Sequence, residues 1–206
     1  MAIPSLAECL ELMAAHGMLP NIREHSFRVM QVARFLGEAL AEAGFDLFLP
    51  LVTAGALLHD LGKTPCLGTL TNHAELGAGF LEELGYPHVA QVVREHVHLD
   101  GNIMDPRPLR EAELVNYADK RVLHEEVVTL AARFVDLRVR YGRTPEALAR
   151  INAMEVKTRA QEEKIFASLA LDPAYLLQLN HYRRESWENC GWPSSPGANP
   201  LSGKSR

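Results

Sequence analysis

Apolar residues recur at helical spacing through most of the chain, and no segment alternates strictly between apolar and polar positions. Recurrence every 3.6 residues or so marks one face of an amphipathic helix, whereas strict alternation marks a half-buried strand. The pattern therefore predicts an all-α protein. The predicted helices are 4–16, 22–43, 47–61, 73–84, a segment that opens at Pro87, 110–124, 127–141, 145–169 and a segment that opens at Pro173.

Glycine residues and one N-cap pattern set the expected ends of several helices. Gly17, Gly44 and Gly85 each follow an apolar stripe and are expected to end a helix. Gly62 is expected to cap the C-terminus of the helix 47–61 in the same way. Asn72 precedes the sequence His-Ala-Glu, which is the pattern of an N-cap with an acidic partner.

The chain is expected to form a single helical domain over 1–188, with a core at about 21–139 and further helices at 145–186. Residues 189–206 concentrate Gly, Pro, Ser and Asn and contain few apolar side chains. Burial of so few apolar groups cannot offset the entropy lost on ordering, so this segment is predicted to be a flexible tail.

The predicted helix 145–169 is mostly charged and carries a narrow apolar stripe of Leu148, Ile151, Met154 and Ile165. Such a stripe on a polar helix is typical of a surface or subunit-facing helix. A homodimer that uses this helix is therefore a candidate assembly.

Composition places the chain among globular proteins, with 206 residues, of which 47% are hydrophobic and 23% charged. The longest apolar run, 47–58, is shorter than the roughly 18 residues that span a bilayer. The N-terminus carries Glu8 and Glu11 and lacks the basic cluster of a secretory signal. We therefore expect no membrane span and a cytoplasmic location.

Charge and cysteine usage narrow the range of partners. The formal net charge of −5 argues against binding to extended nucleic acid, which requires many Lys or Arg residues on one face. Cys9, Cys66 and Cys190 are far apart and never in C-x-x-C spacing, so neither a disulfide framework nor a thiolate zinc site is expected. Nine histidines, several of them near aspartates, mark the expected place of the chemistry.

Imidazole and carboxylate side chains occur in an order that suits a divalent metal ion. The candidate ligands, in chain order, are His25, His59, Asp60, His73, His96 and Asp119. Asp60 follows a helix that is apolar nearly all round, and an unpaired carboxylate there would be costly. A bound metal ion would compensate its charge.

Three of these features together resemble a known family. His25, then the pentapeptide His59-Asp60-Leu61-Gly62-Lys63, then Asp119 within Asn-Tyr-Ala-Asp-Lys resemble the HD superfamily of metal-dependent phosphohydrolases, in its HD-x-G-K variant. The resemblance covers about 21–139, which is more than half of the chain.

The resemblance implies an HD-domain helical bundle around a metal centre. The implied ligands are His25, His59, Asp60 and Asp119 for one ion, and His73 and His96, with Asp60 as the bridge, for a second ion of the two-metal branch. Imidazole and carboxylate accept several divalent ions. One or two ions of Fe, Mn, Mg, Zn, Ni or Co are therefore expected.

Asp60 and Lys63 are the expected catalytic residues. Two divalent ions can activate a shared water and neutralise phosphate oxygens. An ammonium group cannot bind metal, but Lys63 can hold a phosphate oxygen. Arg94 and His98 are further candidates for substrate contact, and Arg107, Lys120 and Arg121 are weaker ones for anion binding. The remaining histidines, His16, His88, His124 and His181, are interpreted as structural or surface residues.

The favoured interpretation is a phosphohydrolase that acts on a small phosphoester, such as a nucleotide or dinucleotide, by attack of metal-activated water. Mixed-valent diiron oxygenases related to this superfamily have much the same order of ligands, so oxygenase activity is an alternative. A third interpretation is a non-catalytic domain that binds a signalling nucleotide. Metal analysis and a screen for phosphate release would separate the three.

Overall fold

The computed structural model describes residues 1–101 and 108–181 of the chain. These residues are mainly helical, which confirms the predicted all-α class. The helices are α1 Leu6–Ala15, α2 Pro20–Glu42, α3 Leu49–Leu58, α4 His73–Glu83, α5 Pro87–Glu95, α6 Glu111–Lys120, α7 Leu130–Tyr141, α8 Pro145–Phe166 and a 3₁₀ helix Pro173–His181. Arg107, Cys190 and the predicted tail 189–206 lie outside the described residues, and the single-domain organisation over 1–188 stays a prediction.

Helix α3 lies in the centre of the core and forms from the longest apolar run of the sequence. Its buried residues are Leu51, Val52, Ala54, Gly55, Ala56, Leu57 and Leu58. Helices α2, α5 and α6 all pack on α3. A Cβ atom at Gly55 would lie 2.5 Å from the Val92 side chain, so glycine is what allows α5 to approach so closely. Among the residues described, no helix is both long and apolar enough to cross a membrane.

The predicted helix ends at Gly17, Gly44 and Gly85 are confirmed. These glycines follow α1, α2 and α4 and have φ angles of 63°, 93° and 82°, in the left-handed region that glycine adopts without steric cost. The Asn72 side chain accepts a hydrogen bond from the Ala74 amide at 3.0 Å, so the predicted N-cap of α4 is also confirmed.

The prediction of a helix over 110–124 is wrong at its C-terminal end. Helix α6 ends at Lys120, and a short antiparallel hairpin follows, made of β1 Val122–Leu123 and β2 Glu126–Val127. The Asn180 side chain, far along the chain, donates to the Val127 carbonyl at 2.9 Å and accepts from the Val127 amide at 2.8 Å. Such a distant partner leaves no trace in local periodicity. The next helix likewise begins at Leu130 rather than at 127, behind a Thr129 N-cap.

Helix α8 packs against α6 and α7 of its own chain. Two residues of the predicted stripe, Ile151 and Ile165, are buried in the core, and Met154 packs against it, whereas Leu148 is exposed. The Gln161 side chain, also buried, donates to the Glu113 carbonyl of α6. Most of the stripe therefore serves packing within the chain, and the homodimer stays a prediction.

Candidate metal centre

The His-Asp pair lies at the junction of α2, α3, α5 and α6. The predicted helix 47–61 is too long, since α3 ends at Leu58 and the pair occupies the turn that follows. Neighbouring residues of a helix diverge by about 100°, so two such side chains can share one ion only at a helix end, across the groove between them. In the turn, His59 Nε2 lies 3.4 Å from Asp60 Oδ2, and both side chains are almost fully buried.

A first ligand group joins this turn to α2 and α6. His25 Nε2 lies 3.0 Å from Asp119 Oδ1, although the two residues are 94 positions apart. His59 Nε2 lies 3.8 Å from the same oxygen. The ligand atoms of His25, His59 and Asp60 all lie within 4.8 Å of one another, so they could hold one metal ion. We call His25, His59, Asp60 and Asp119 the first group.

Backbone carbonyls orient both imidazoles of the first group. His25 Nδ1 lies 2.8 Å from the His124 carbonyl oxygen, and His59 Nδ1 lies 2.7 Å from the Ala56 carbonyl oxygen. A carbonyl can only accept, so each Nδ1 donates a proton, and in the neutral ring the Nε2 lone pair is then available to a metal. The hairpin turn that supplies the His124 carbonyl has a φ angle of 57° at that residue.

The donor set of the first group fits a cation. His59 Nε2 is buried and has no hydrogen-bond partner among the described residues. The lone pairs of His59 Nε2 and His25 Nε2 face carboxylate oxygens. Without a positive charge between them, the nitrogen lone pairs and the carboxylate oxygens would repel one another. Burial alone would lower the pKa of His59, but the negative charges of Asp60 and Asp119 raise it above its ordinary value. Both observations indicate that this position favours positive charge.

A second group forms on the other side of Asp60. His73 Nε2 lies 3.3 Å from Asp60 Oδ1, and His96 Nε2 lies 3.7 Å from the same oxygen. Ligand atoms of these three residues lie within 4.8 Å of one another. His96 Nδ1 donates to the Val93 carbonyl at 2.6 Å, and burial lowers the pKa of His96 to about 3. His96 is therefore neutral, as a metal ligand must be.

Asp60 belongs to both groups and directs one carboxylate oxygen to each. Oδ2 lies towards His59, and Oδ1 lies towards His73 and His96. Burial alone would raise the pKa of Asp60, but the charge and hydrogen bonds of its neighbours hold it well below the ordinary value. One of these neighbours is Lys63, whose Nζ lies 2.6 Å from Asp60 Oδ2. Asp60 is thus a buried carboxylate that the two candidate ligand groups share.

Gly62 brings α4 against the turn that carries the pair. The prediction that Gly62 caps the C-terminus of the preceding helix is wrong, because α3 ends at Leu58 with His59 as its C-cap and the φ angle of Gly62 is not positive. A Cβ atom there would lie 2.4 Å from the His73 carbonyl oxygen and 2.6 Å from the Gly77 amide nitrogen. Glycine is required for close packing, which places His73 beside Asp60.

The other predicted contact residues lie in different surroundings. Arg94 forms salt bridges with Glu75 at 3.0 Å and with Glu82 at 2.9 Å, so its guanidinium is already engaged by α4. The His98 side chain is exposed to solvent. The burial that remains around its ring, together with the charges of Lys120 and Lys157, lowers its pKa. The roles of Arg94 and His98 in substrate binding stay predictions.

Two of the weaker anion-binding candidates are deeply buried. Arg121 contacts Glu162 at 3.0 Å and the Pro173 carbonyl at 3.0 Å, and it is 1% exposed. It links α6 to α8 and to the 3₁₀ helix, which is a structural role. Lys120 is also buried and contacts the Asp119 carboxylate at 2.7 Å.

Sequence reasoning missed residues that act on the centre through the backbone. The Asn116 side chain donates to the His96 carbonyl at 2.8 Å, and His124, interpreted as a structural or surface residue, supplies the carbonyl that orients His25. The His124 side chain is exposed, as are those of His88 and His181. Asn116 could have been suspected because it lies three positions before the candidate ligand Asp119 on the same helix.

The fold and the centre together define a class: a mainly helical protein whose histidines and aspartates converge on a buried site suited to divalent metal. The model of the HD domain family matches residues 22–137, more than half of the chain. The chain belongs to this family, which confirms the resemblance drawn from the sequence motifs. Members of the HD superfamily are generally hydrolases.

Individual relatives are distant. The chain is 25% identical over 144 residues to an uncharacterized protein of Methanocaldococcus jannaschii. The alignment covers 64% of this chain and 83% of that protein. It is 32% identical over 96 residues to a tRNA (cytidine(56)-2'-O)-methyltransferase of Thermoplasma volcanium. This alignment covers 46% of this chain but only 26% of that enzyme. A crystal structure of a predicted HD superfamily hydrolase from an uncultured Thermotogales bacterium is similar with a TM-score of 0.42 and 23% identity, over 80% of this chain and 93% of the other.

Proposed function

We propose that the protein is a metal-dependent phosphohydrolase that acts on a small phosphoester, with a nucleotide or dinucleotide as the substrate class. The observation that carries this proposal is the position of Asp60, whose two oxygens face two separate groups of imidazole ligands. A carboxylate that can bridge two ions suits a two-ion site, which can stabilise both the attacking and the leaving oxygen of a displacement at phosphorus.

The residues present would hold two ions, one in each group. Divalent ions bound there would supply a nucleophilic water at neutral pH and neutralise charge on a phosphate. The protein's own contribution is to fix the ligands. Backbone carbonyls orient His25, His59 and His96, and burial excludes bulk water from all three.

Lys63 is the residue of the motif that is available to a substrate. Its side chain is 41% exposed, whereas that of Asp60, its partner, is 2% exposed. Burial alone would lower the pKa of Lys63, but the charge of Asp60 raises it, so the ammonium stays protonated at neutral pH. An ammonium held at the edge of the centre can bind a phosphate oxygen and stabilise the charge that develops during its displacement.

The preference for a small substrate rests on charge. The formal net charge of −5 does not favour a long polyphosphate backbone, but two ions and Lys63 would attract a compact phosphate ester locally. The proposed substrates are therefore nucleotides and dinucleotides rather than extended nucleic acid.

The test begins with elemental analysis of the purified protein, followed by reconstitution with Mn²⁺, Fe²⁺, Co²⁺, Ni²⁺, Zn²⁺ or Mg²⁺. Phosphate release is then measured under anaerobic conditions over a panel of nucleotides and dinucleotides. We expect two ions per chain and anaerobic release of phosphate from at least one of these compounds. Loss of release in the Asp60→Ala variant ties the activity to this centre.

The alternatives give different outcomes in the same assay. Oxygen uptake by iron-loaded protein on addition of a polyol or an organophosphonate, without anaerobic release of phosphate, would replace the proposal with oxygenase activity. Binding of nucleotides without release of phosphate at any pH would replace it with a regulatory role.

A further inference from the structure

One face of α6 carries polar side chains into the interior. Asn116 and Lys120 are one helical turn apart and therefore lie on the same face, and both are at most 5% exposed. A lysine is rarely buried unless it is paired, so the surroundings of its ammonium group need an explanation.

The first partner of Lys120 is the end of α5. Helix α5 ends at Glu95, and carbonyls in the last turn of a helix have no partner within it. The His96 carbonyl accepts from Asn116 Nδ2 at 2.8 Å and from Lys120 Nζ at 3.2 Å. The backbone of this second-group ligand is thus held by two donors from α6.

The second partner of Lys120 is a ligand of the first group. Lys120 Nζ lies 2.7 Å from Asp119 Oδ2, while Asp119 Oδ1 faces His25 and His59. The ammonium group therefore occupies one carboxylate oxygen and leaves the other to the centre. Unlike Asn116, Lys120 contacts residues of both groups.

Resting on the two-ion centre proposed above, we propose that Lys120 is a positioning residue that couples the two groups, holding the Asp119 carboxylate for the first and the His96 backbone for the second. Loss of an outer partner of a metal ligand typically lowers metal affinity about 10- to 100-fold. Removal of the Lys120 ammonium is expected to weaken metal binding in both groups, whereas removal of the Asn116 amide weakens it only in the second.

The experiment uses Mn²⁺ alone, without substrate, and two variants that each leave one group intact. His25→Ala removes a ligand of the first group, and His73→Ala removes a ligand of the second, so the tighter Kd in each variant reports the group that is left intact. The Kd for Mn²⁺ is measured by calorimetry in each variant, with and without Lys120→Met, which keeps the length of the side chain but removes its charge and donors. We expect the Kd to rise at least about tenfold in both backgrounds.

Asn116→Leu is the matched control, since it removes a buried donor from the same helix face. It is expected to raise the Kd for Mn²⁺ in the His25→Ala background and to leave it unchanged in the His73→Ala background. The proposal is overturned if Lys120→Met acts on one group or on neither, or if Asn116→Leu acts on both, which would indicate general loosening of α6.

Thermal unfolding of each variant establishes that it is folded, and if Lys120→Met does not fold, Lys120→Gln, which keeps a donor without the charge, takes its place under the same criteria. Because the readout is binding of Mn²⁺, it is independent of turnover. Failure to release phosphate would remove the proposed function and leave this coupling standing. A wild-type chain that binds one ion only would remove the coupling.

Discussion

The two ligand groups share Asp60 but differ in how they are built. In the first group the side chains of His25, His59 and Asp119 are at most 12% exposed, and both imidazoles are oriented by backbone carbonyls. In the second group His96 is buried and oriented in the same way, but the side chain of His73 is 29% exposed. The first group also has a second carboxylate, which the second group lacks among the residues described.

This difference in burial and charge indicates that the two groups are suited to different tasks. A buried site with two carboxylates and fixed imidazoles retains its ion, because little has to be reorganised on binding and the negative charge is larger. A site with one partly exposed ligand exchanges its ion more readily and is open to solvent and substrate. The first group is thus suited to stabilise the structure of the centre, and the second is suited to bind the phosphate of the proposed substrate.

The largest expected effect comes from the residue that the two groups share. Asp60→Ala removes a ligand oxygen from each group and should abolish retention of both ions and turnover together. Metal content by elemental analysis and phosphate release are the measurements. Asp46→Ala, which truncates an exposed aspartate, is the matched control and should keep both ions. Full metal content in Asp60→Ala would refute its assignment as the bridge.

The next largest effects are expected when one ligand is removed from each group in turn. We expect His59→Ala to weaken binding of the first ion by more than about 100-fold, because loss of a ligand itself exceeds the loss of an outer partner. His73→Ala should weaken the second ion only about tenfold, since water can take the place of a partly exposed ligand. Titration with Mn²⁺ measures both. Equal losses would contradict the distinction between a buried and an open group.

The sequence predicts the two groups unequally well. The first group depends on short motifs, and the resemblance they carry places His25, His59, Asp60 and Asp119 together without any structure. Ligand chemistry also makes His73 and His96 candidates, but only the resemblance to the two-metal branch assigns them to a second ion. The groups that orient the rings could not be predicted from the sequence. They are the backbone carbonyls of Ala56, Val93 and His124, and because every residue has a carbonyl, residue type does not indicate which one accepts the hydrogen bond.

The fold was predictable to a similar extent. Periodicity and glycine positions located the helices, since both are local signals. The hairpin after α6 could not be located in this way, because Asn180, which pairs with Val127, is contributed by a distant element. The same reason explains Gly62, whose role depends on the His73 carbonyl of another helix. Tertiary contacts decided each of these positions.

A smaller effect is expected at the substrate side of the centre. Lys63→Ala should leave both ions bound and slow turnover about 100-fold, which is the usual cost of removing one donor to a developing oxyanion. Lys164→Ala is the control, because Lys164 pairs with Glu113 and contacts no residue of either group in the part of the chain that the structure describes. Turnover and metal content are measured in parallel. Unchanged turnover would contradict a role of Lys63 in substrate binding.

The smallest expected effect tests whether close packing alone maintains the second group. Gly62→Ala places a methyl group 2.4 Å from the His73 carbonyl oxygen, so α4 must move away from Asp60. We expect the second ion to bind about tenfold more weakly, at the lower end of the effects seen when a ligand loses its support, while the first ion is retained.

Gly79→Ala is the matched control within α4, because an added Cβ atom there meets nothing within 4 Å. It should leave both Kd values for Mn²⁺ unchanged and stabilise the protein by about 0.5–1 kcal/mol, since alanine is the better helix former. If Gly62→Ala weakened both ions equally, the two groups would not be separable, and the contrast between them would be lost.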